Sequence, residues 1–202
     1  MARTRADDYA EKRRRIGDGA AGLFAARGFE ATSAADIAAE GGFSKALIYH
    51  YFDSKEEILE ELLGAHMDRL LAAAEAALHE AGDPRSRLRA FVRAHMRIYA
   101  TARAKHVLLL NELDALSAKG RAAIVGKERR LVALASSLFA EIAPVPQRLQ
   151  RAVAMSFYGM INWTCTWYRP DGPVGPEEFA DLACDLFLSG LAGRFGAGTS
   201  PG

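Results

Sequence analysis

Ser44, Lys45, Ala46, Tyr49 and His50 fall within seven consecutive positions of the chain. Their side chains are a hydroxyl, a cation, a methyl, a phenol and an imidazole, groups that bond phosphate oxygens or the edges of base pairs. Leu47, Ile48, Tyr51 and Phe52 are interleaved with them and, on a helix, face inward. The same composition also suits a plain solvated helix face carrying two aromatic rings. Other chemistries find no such grouping. The histidines at 50, 66, 79, 95 and 106 include no pair four apart, and no HExxH, GxSxG or glycine-rich phosphate loop occurs. Cys165 and Cys184 make no CxxC and no metal-ligand spacing, and read as small core hydrophobes. His95, alone on a mostly apolar segment, reads as a hydrogen-bonded core residue. No cofactor, no metal and no catalysis is expected.

The elements that must position the 44–50 cluster are legible around it. Thr32 or Ser33 can cap a helix, and Asp36 stands three residues after Ser33. Ile37 and Ala38 supply a small apolar face, and Gly41-Gly42 breaks the helix, since glycine tolerates the left-handed conformation. Ser44 caps a second helix that Asp53-Ser54 ends, and Ser54 with Glu57 opens a third. Helix, glycine turn, capped helix is a helix-turn-helix, whose second helix can enter the DNA major groove.

The ordered string Asp36-Ile37-Ala38, Gly42-Phe43-Ser44-Lys45, Ile48-Tyr49, Tyr51-Phe52 and Ser54-Lys55-Glu56-Glu57-Ile58-Leu59 resembles the signature of the TetR (tetracycline repressor) family of bacterial transcription regulators. The likeness covers about the first 60 residues. Gly41, where the family more often has alanine, and Phe43, where it more often has valine, are mild departures. The resemblance implies a double-stranded DNA operator read by Ser44, Lys45, Ala46, Leu47, Tyr49, His50, Tyr51 and Lys55, with Thr32 and Ser33 on phosphates. Lys45 is the expected base reader and Lys55 the expected phosphate holder.

Charge alone would miss this function. The net charge is +1, and residues 1–55 carry nine basic against eight acidic side chains. Residues 1–15 are more basic, with Arg3, Arg5, Lys12, Arg13, Arg14 and Arg15 against Asp7, Asp8 and Glu11. Phosphate affinity must come from a few placed cations. No apolar run approaches the roughly 18 residues of a membrane span, and the start lacks an apolar signal region. A cytoplasmic protein that meets no membrane is expected.

The whole chain of 202 residues reads as all-α, with about nine helices and no convincing strand. A first helix reads over 8–28, with Ile16, Ala20, Leu23 and Phe24 along one face; its glycines 17, 19 and 22 suggest close packing, and the family resemblance implies that it buttresses the reading pair. The DNA-binding domain is expected over 1–55, a helical ligand-binding and dimerisation domain over 56–195, and a disordered tail over 196–202. A long helix from Ser54 to about Ala81 links the two and is the natural lever. In 85–103, Arg85, Arg89, Arg93 and Arg97 recur every four residues along one stripe. That stripe is either a surface feature paired with acids such as Glu56, Glu57, Glu60 and Glu61, or an anion-docking ridge.

Further helices read over 105–117, 120–142, 147–169 and 177–195. The third of these is apolar almost all round and should be buried on several sides. Its Met and aromatic residues suit plain core packing. With scattered polar groups such as Asn111, Tyr158, Asn162 and Thr164 they also suit a ligand chamber with apolar walls. Within the TetR family, VLLLNELDAL and YGMINWTCTWYRPDG resemble the branch responding to fatty or aryl acyl-CoA thioesters. That implies an effector lying among Met96, Tyr99, Phe157, Met160, Trp163 and Trp167, with Asn111 near the thioester and Arg93, Arg97 and Arg103 for phosphates. It also implies a homodimer through 147–169 and 177–195, which the effector releases from DNA. The competing class is a regulator of efflux sensing cationic or aromatic drugs, for which Glu112 and Asp114 are the candidate carboxylates.

Overall fold

A computed structural model describes residues 2–80 and 82–196, with side chains from residue 7 onward. Arg3, Arg5 and the tail beyond Gly196 therefore lie outside the described side chains. The described residues form only helices and connections. In order they are α1 (Ala2–Arg27), α2 (Ala34–Gly41), α3 (Lys45–Tyr51), α4 (Lys55–His79), α5 (Pro84–Thr101), α6 (Arg103–Asn111), a 3-10 turn (Leu113–Ala115), α7 (Ala118–Ile142), α8 (Gln147–Asn162), α9 (Thr164–Trp167) and α10 (Pro176–Phe195). The four-residue α9 resumes α8 after Trp163, so nine helical rods stand among the described residues. None is long and apolar enough to cross a membrane.

Two compact units emerge, Met1–Met67 with Ala104–Val125, and Asp68–Arg103 with Gly126–Gly202. The divisions fall inside α4, at the start of α6 and inside α7. In the first unit the caps act locally. Ser33 and Asp36 close a reciprocal box, the Asp36 N–H on Ser33 Oγ at 3.2 Å and the Ser33 N–H on Asp36 Oδ2 at 2.8 Å. Gly42, at φ 65°, turns the chain left-handed, and the Phe43 N–H then reaches the Ala38 carbonyl at 2.8 Å. Ser44 Oγ accepts from the Leu47 N–H at 3.1 Å. Ser54 Oγ accepts from the Glu57 N–H, but Glu57 reaches back to the Asp53 N–H at 2.7 Å, one residue earlier than the expected box.

Those caps orient an apolar wedge. Ile16, Ala20, Leu23 and Phe24 of α1, Ile37 and Ala38 of α2, Ile48 of α3, and Ile58, Leu59 and Leu62 of α4 are buried. Each such large side chain contributes roughly 1.5–3 kcal/mol by leaving water. Gly17 permits close approach, since a Cβ there would lie 3.3 Å from Leu62; Gly19 and Gly22 face open space. Lys105 of α6 pairs with Asp18 at 2.7 Å, and His66 of α4 meets His106 of α6 at 3.4 Å.

The second unit is built on α5, which buries Leu88, Phe91, Val92, His95, Met96 and Tyr99. Asp83 caps it, and Pro84 occupies the first turn, where no N–H is needed. Phe139, Phe157 and Phe187 form a ring cluster with centroids 4.8–5.3 Å apart. Three of the stripe's four arginines face α10, not α4: Arg93 grips Asp181 at 2.6 and 2.8 Å, Arg97 pairs with Glu177 at 2.6 Å, and Arg89 bonds Asp185. The acids recur every four residues in the opposite chain direction, so two antiparallel helices interlock by charge. Expectation and structure part again at 147–169. That helix breaks at Trp163, and Met155, Trp163 and Trp167 are exposed rather than enclosed.

Candidate nucleic-acid interface and ligand-binding residues

Helix α3 carries its polar side chains outward. Ser44, Lys45, Ala46, Tyr49 and His50 are exposed, Leu47 is half-buried, and Ile48 and Tyr51 are buried. Lys45 Nζ stands 5.8 Å from the centre of the Tyr49 ring, so cation and phenol share one patch. Ser33, exposed at the start of α2, holds Asp36, whose carboxyl lies below its usual range because of the Ser33 hydroxyl and N–H.

Three residues of the expected set are used internally. Thr32 is buried and donates its hydroxyl to the Gly28 carbonyl at 2.8 Å, closing the turn after α1. Tyr51 is buried with its ring 4.6 Å from that of Tyr9. Lys55 donates to the carbonyls of Phe29 and Glu30 at 3.0 and 3.3 Å and sits 4.3 Å over the Phe29 ring. It staples the end of α1 to the start of α4, which sequence spacing alone does not reveal.

The basic N-terminal segment is likewise partly neutralised. Lys12 pairs with Asp8 at 3.0 Å, and Arg14 with Glu11 at 2.8 Å and Asp18 at 3.1 Å. Arg13 turns inward, to Glu57 at 2.7 Å, to Glu61 at 2.6 Å and to the Tyr51 carbonyl. Burial opposes its charge, but the bonds it donates to Glu57 and Glu61 outweigh that and hold the guanidinium above its ordinary range. Arg15 stacks 5.5 Å over Phe43, beside the turn. Tyr9, unmarked by any motif, is half-exposed beside His50, with ring centres 6.4 Å apart. Its position one helical turn before Arg13 is the signal that could have found it.

In the second unit Met96, Tyr99 and Phe157 are buried and Met160 is half-buried. Tyr99 donates to Asn162 Oδ1 at 2.8 Å, and Tyr158 to the Leu131 carbonyl at 3.2 Å. Burial raises both phenols above their usual range and pushes the Cys184 thiol up to about 12. Trp163 and Trp167 are 66% and 53% exposed, so neither is an interior wall residue of this chain. Arg103 is exposed and donates to the Cys165 carbonyl at 2.9 Å. Asn111 belongs to the first unit, is exposed, and donates to the Val107 carbonyl of its own helix at 2.8 Å. Arg93 and Arg97 are engaged by α10, and Asp114 pairs with Arg121 at 2.7 Å. Glu128 is a half-buried carboxyl whose pKa burial raises. Among the described residues no group of three or more His, Cys, Asp or Glu could hold a metal ion.

Comparison with known proteins matches both parts of the chain. A family model described as "Bacterial regulatory proteins, tetR family" matches residues 16–62, and one described as "Tetracyclin repressor-like, C-terminal domain" matches residues 81–191. The HTH-type transcriptional repressor KstR2 of Rhodococcus jostii (strain RHA1) is 28% identical over 195 residues, 93% of this chain and 96% of that protein. A crystal structure of a TetR-family transcriptional regulator from Bordetella parapertussis 12822 aligns with a TM-score of 0.85 at 39% identity, covering 92% of this chain and 98% of that one. The structure of AibR in complex with isovaleryl coenzyme A and operator DNA aligns with a TM-score of 0.76 at 27% identity, over 86% of this chain and 96% of that one.

Proposed function

This chain belongs to the TetR family of bacterial transcription regulators, and from that premise we propose that it is a ligand-responsive repressor acting in the cytoplasm. It binds a pseudo-palindromic operator as a homodimer and leaves it when an acyl-CoA thioester binds the second unit. The observation that carries the DNA reading is α3, capped by Ser44 and buried along Ile48 and Tyr51, with Lys45, Tyr49 and His50 turned to solvent. A seven-residue helix reads too few bases alone, so two copies are required, with half-sites about 34–36 Å or a multiple apart. Met155 on α8 and Leu182 and Leu186 on α10 are exposed apolar side chains that a second subunit would cover.

The effector class is supported by the likeness to AibR, crystallised with isovaleryl coenzyme A and operator DNA. It is also supported by buried Met96 and Phe157, which lie on the two helices that carry the polar Tyr99–Asn162 pair. Of the arginines expected at the CoA phosphates, Arg103 alone is proposed, because Arg93 and Arg97 are bound to Asp181 and Glu177. Helix α4 runs unbroken from residue 55 to 79 and is the proposed route of coupling. A coupling of ~1–3 kcal/mol gives about 5–150-fold in operator affinity. A second reading, a sensor of cationic drugs, draws on Glu128, a half-buried carboxyl whose pKa burial raises.

Native mass spectrometry of protein purified from cells should reveal a co-purified thioester. Operator binding followed by fluorescence anisotropy should then weaken as that thioester is added. If a panel of short, long and aromatic thioesters leaves operator binding unchanged while a cationic dye abolishes it, the drug-sensing reading replaces this one.

A further inference from the structure

His95 is wholly buried in the interior of the second unit. Its Nδ1 lies 2.9 Å from the Phe91 carbonyl, which can only accept, so Nδ1 must carry the proton. In the neutral ring Nε2 is then a bare acceptor, and it has no hydrogen-bond partner. Burial lowers the imidazole pKa to about 4, which keeps the ring neutral near pH 7.

The surroundings deepen the vacancy in hydrogen bonding. Phe91 stacks on the imidazole at 4.2 Å, and the rings of Tyr99 and Tyr158 stand 6.1 and 6.4 Å away, edge-on. Both hydroxyls are directed elsewhere, Tyr99 to Asn162 and Tyr158 to the Leu131 carbonyl. A buried acceptor without a donor is costly, and buried polar atoms are seldom left so.

We propose that the effector carries a hydroxyl group on its apolar body and donates it to His95 Nε2, making His95 the residue that selects hydroxylated over plain acyl groups. The inference rests on the second unit's being the effector-binding unit and narrows the effector to a hydrogen-bond donor. A thioester carbonyl cannot fill this role, because it too only accepts. A site built to receive a donor discriminates strongly against the analogue that lacks it.

The test compares 3-hydroxyacyl-CoA with the saturated acyl-CoA of equal chain length, by calorimetry and by operator release. Wild-type protein should bind the hydroxylated thioester about tenfold tighter or more. His95→Phe, which keeps the stacked ring and removes the acceptor, should erase that preference. In 15N-histidine-labelled wild-type protein the His95 Nε2 resonance should move with the hydroxylated thioester and not with the saturated one. Equal binding of both with an unmoved Nε2 overturns the inference while leaving the acyl-CoA reading intact. If no thioester binds, that reading falls, and 1-octanol against methyl octyl ether decides the inference. Movement of Nε2 by the alcohol alone upholds it, and no movement by either overturns it.

Discussion

Arg13 of α1 donates to Glu57 of α4 at 2.7 Å, and the same guanidinium lies 4.0 Å over the ring of Phe52, the residue that ends α3. One side chain thus ties the buttress helix, the reading helix and the linking helix together. Arg13→Met should remove the charged bonds while keeping part of the packing. It should destabilise the protein by about 2 kcal/mol, allowing for the partial exposure of both carboxylates. Urea unfolding should show a lower midpoint with an unchanged slope.

The same contact predicts acid sensitivity. The Asp53 N–H and Arg13 hold the Glu57 carboxyl below its usual value of 4.5, and Arg93 holds Asp181 below its usual 3.8. Both groups bind protons more weakly folded than unfolded. Their stabilisation is therefore full above those usual values and is lost as pH falls through the lower folded ones. Thermal midpoints should be level from pH 7 to about pH 5 and then decline, and Glu57→Gln should soften that decline.

Lys45 and Lys55 should separate cleanly. Lys45→Ala should relax operator preference at one base pair by ~1–3 kcal/mol, seen by anisotropy on single-base operator variants. Lys55 is bonded to the Phe29 and Glu30 carbonyls, so Lys55→Ala should lower the unfolding midpoint and leave the salt slope of DNA binding near wild type. A flattened slope for Lys55→Ala would restore it as a phosphate contact.

Gly41 and Phe43 should behave as a coupled pair. A Cβ on Gly41 would lie 2.5 Å from the Phe43 ring, so Gly41→Ala must displace the ring from beneath Arg15. Alone the change should be neutral or destabilising, although alanine gains up to about 1 kcal/mol in a helix. Combined with Phe43→Val it should stabilise, giving a non-additive double-mutant cycle in urea.

Leu186 and Phe187 are neighbours with opposite expected behaviour. Leu186 is 61% exposed, whereas the Phe187 ring packs 4.9 Å from Phe139 and 4.8 Å from Phe157. Leu186→Glu should yield a folded monomer with weakened operator binding in sedimentation. Phe187→Glu should unfold the second unit, since it places a charge in an aromatic cluster.

The sequence by itself determined the helix-turn-helix and the helical order of the chain. Ser33, Gly42, Ser44 and Ser54 act on backbone groups three to five residues away, so their meaning is present in local spacing. The outward set Lys45, Tyr49 and His50 followed from the same periodicity. What only the tertiary structure decided was the choice among distant partners. Arg89, Arg93 and Arg97 of α5 found Asp185, Asp181 and Glu177, some 80 to 96 residues on, rather than the acids of α4. Lys55 found carbonyls at Phe29 and Glu30, Arg13 found Glu57, and the break at Trp163 turned two tryptophans out to the surface. A long cation reaches whichever acceptor its neighbouring helix presents, and helix spacing carries no record of which helix that is. The open acceptor on His95 is of the same kind, because a lone histidine on an apolar face shows in sequence neither its tautomer nor the donor it lacks.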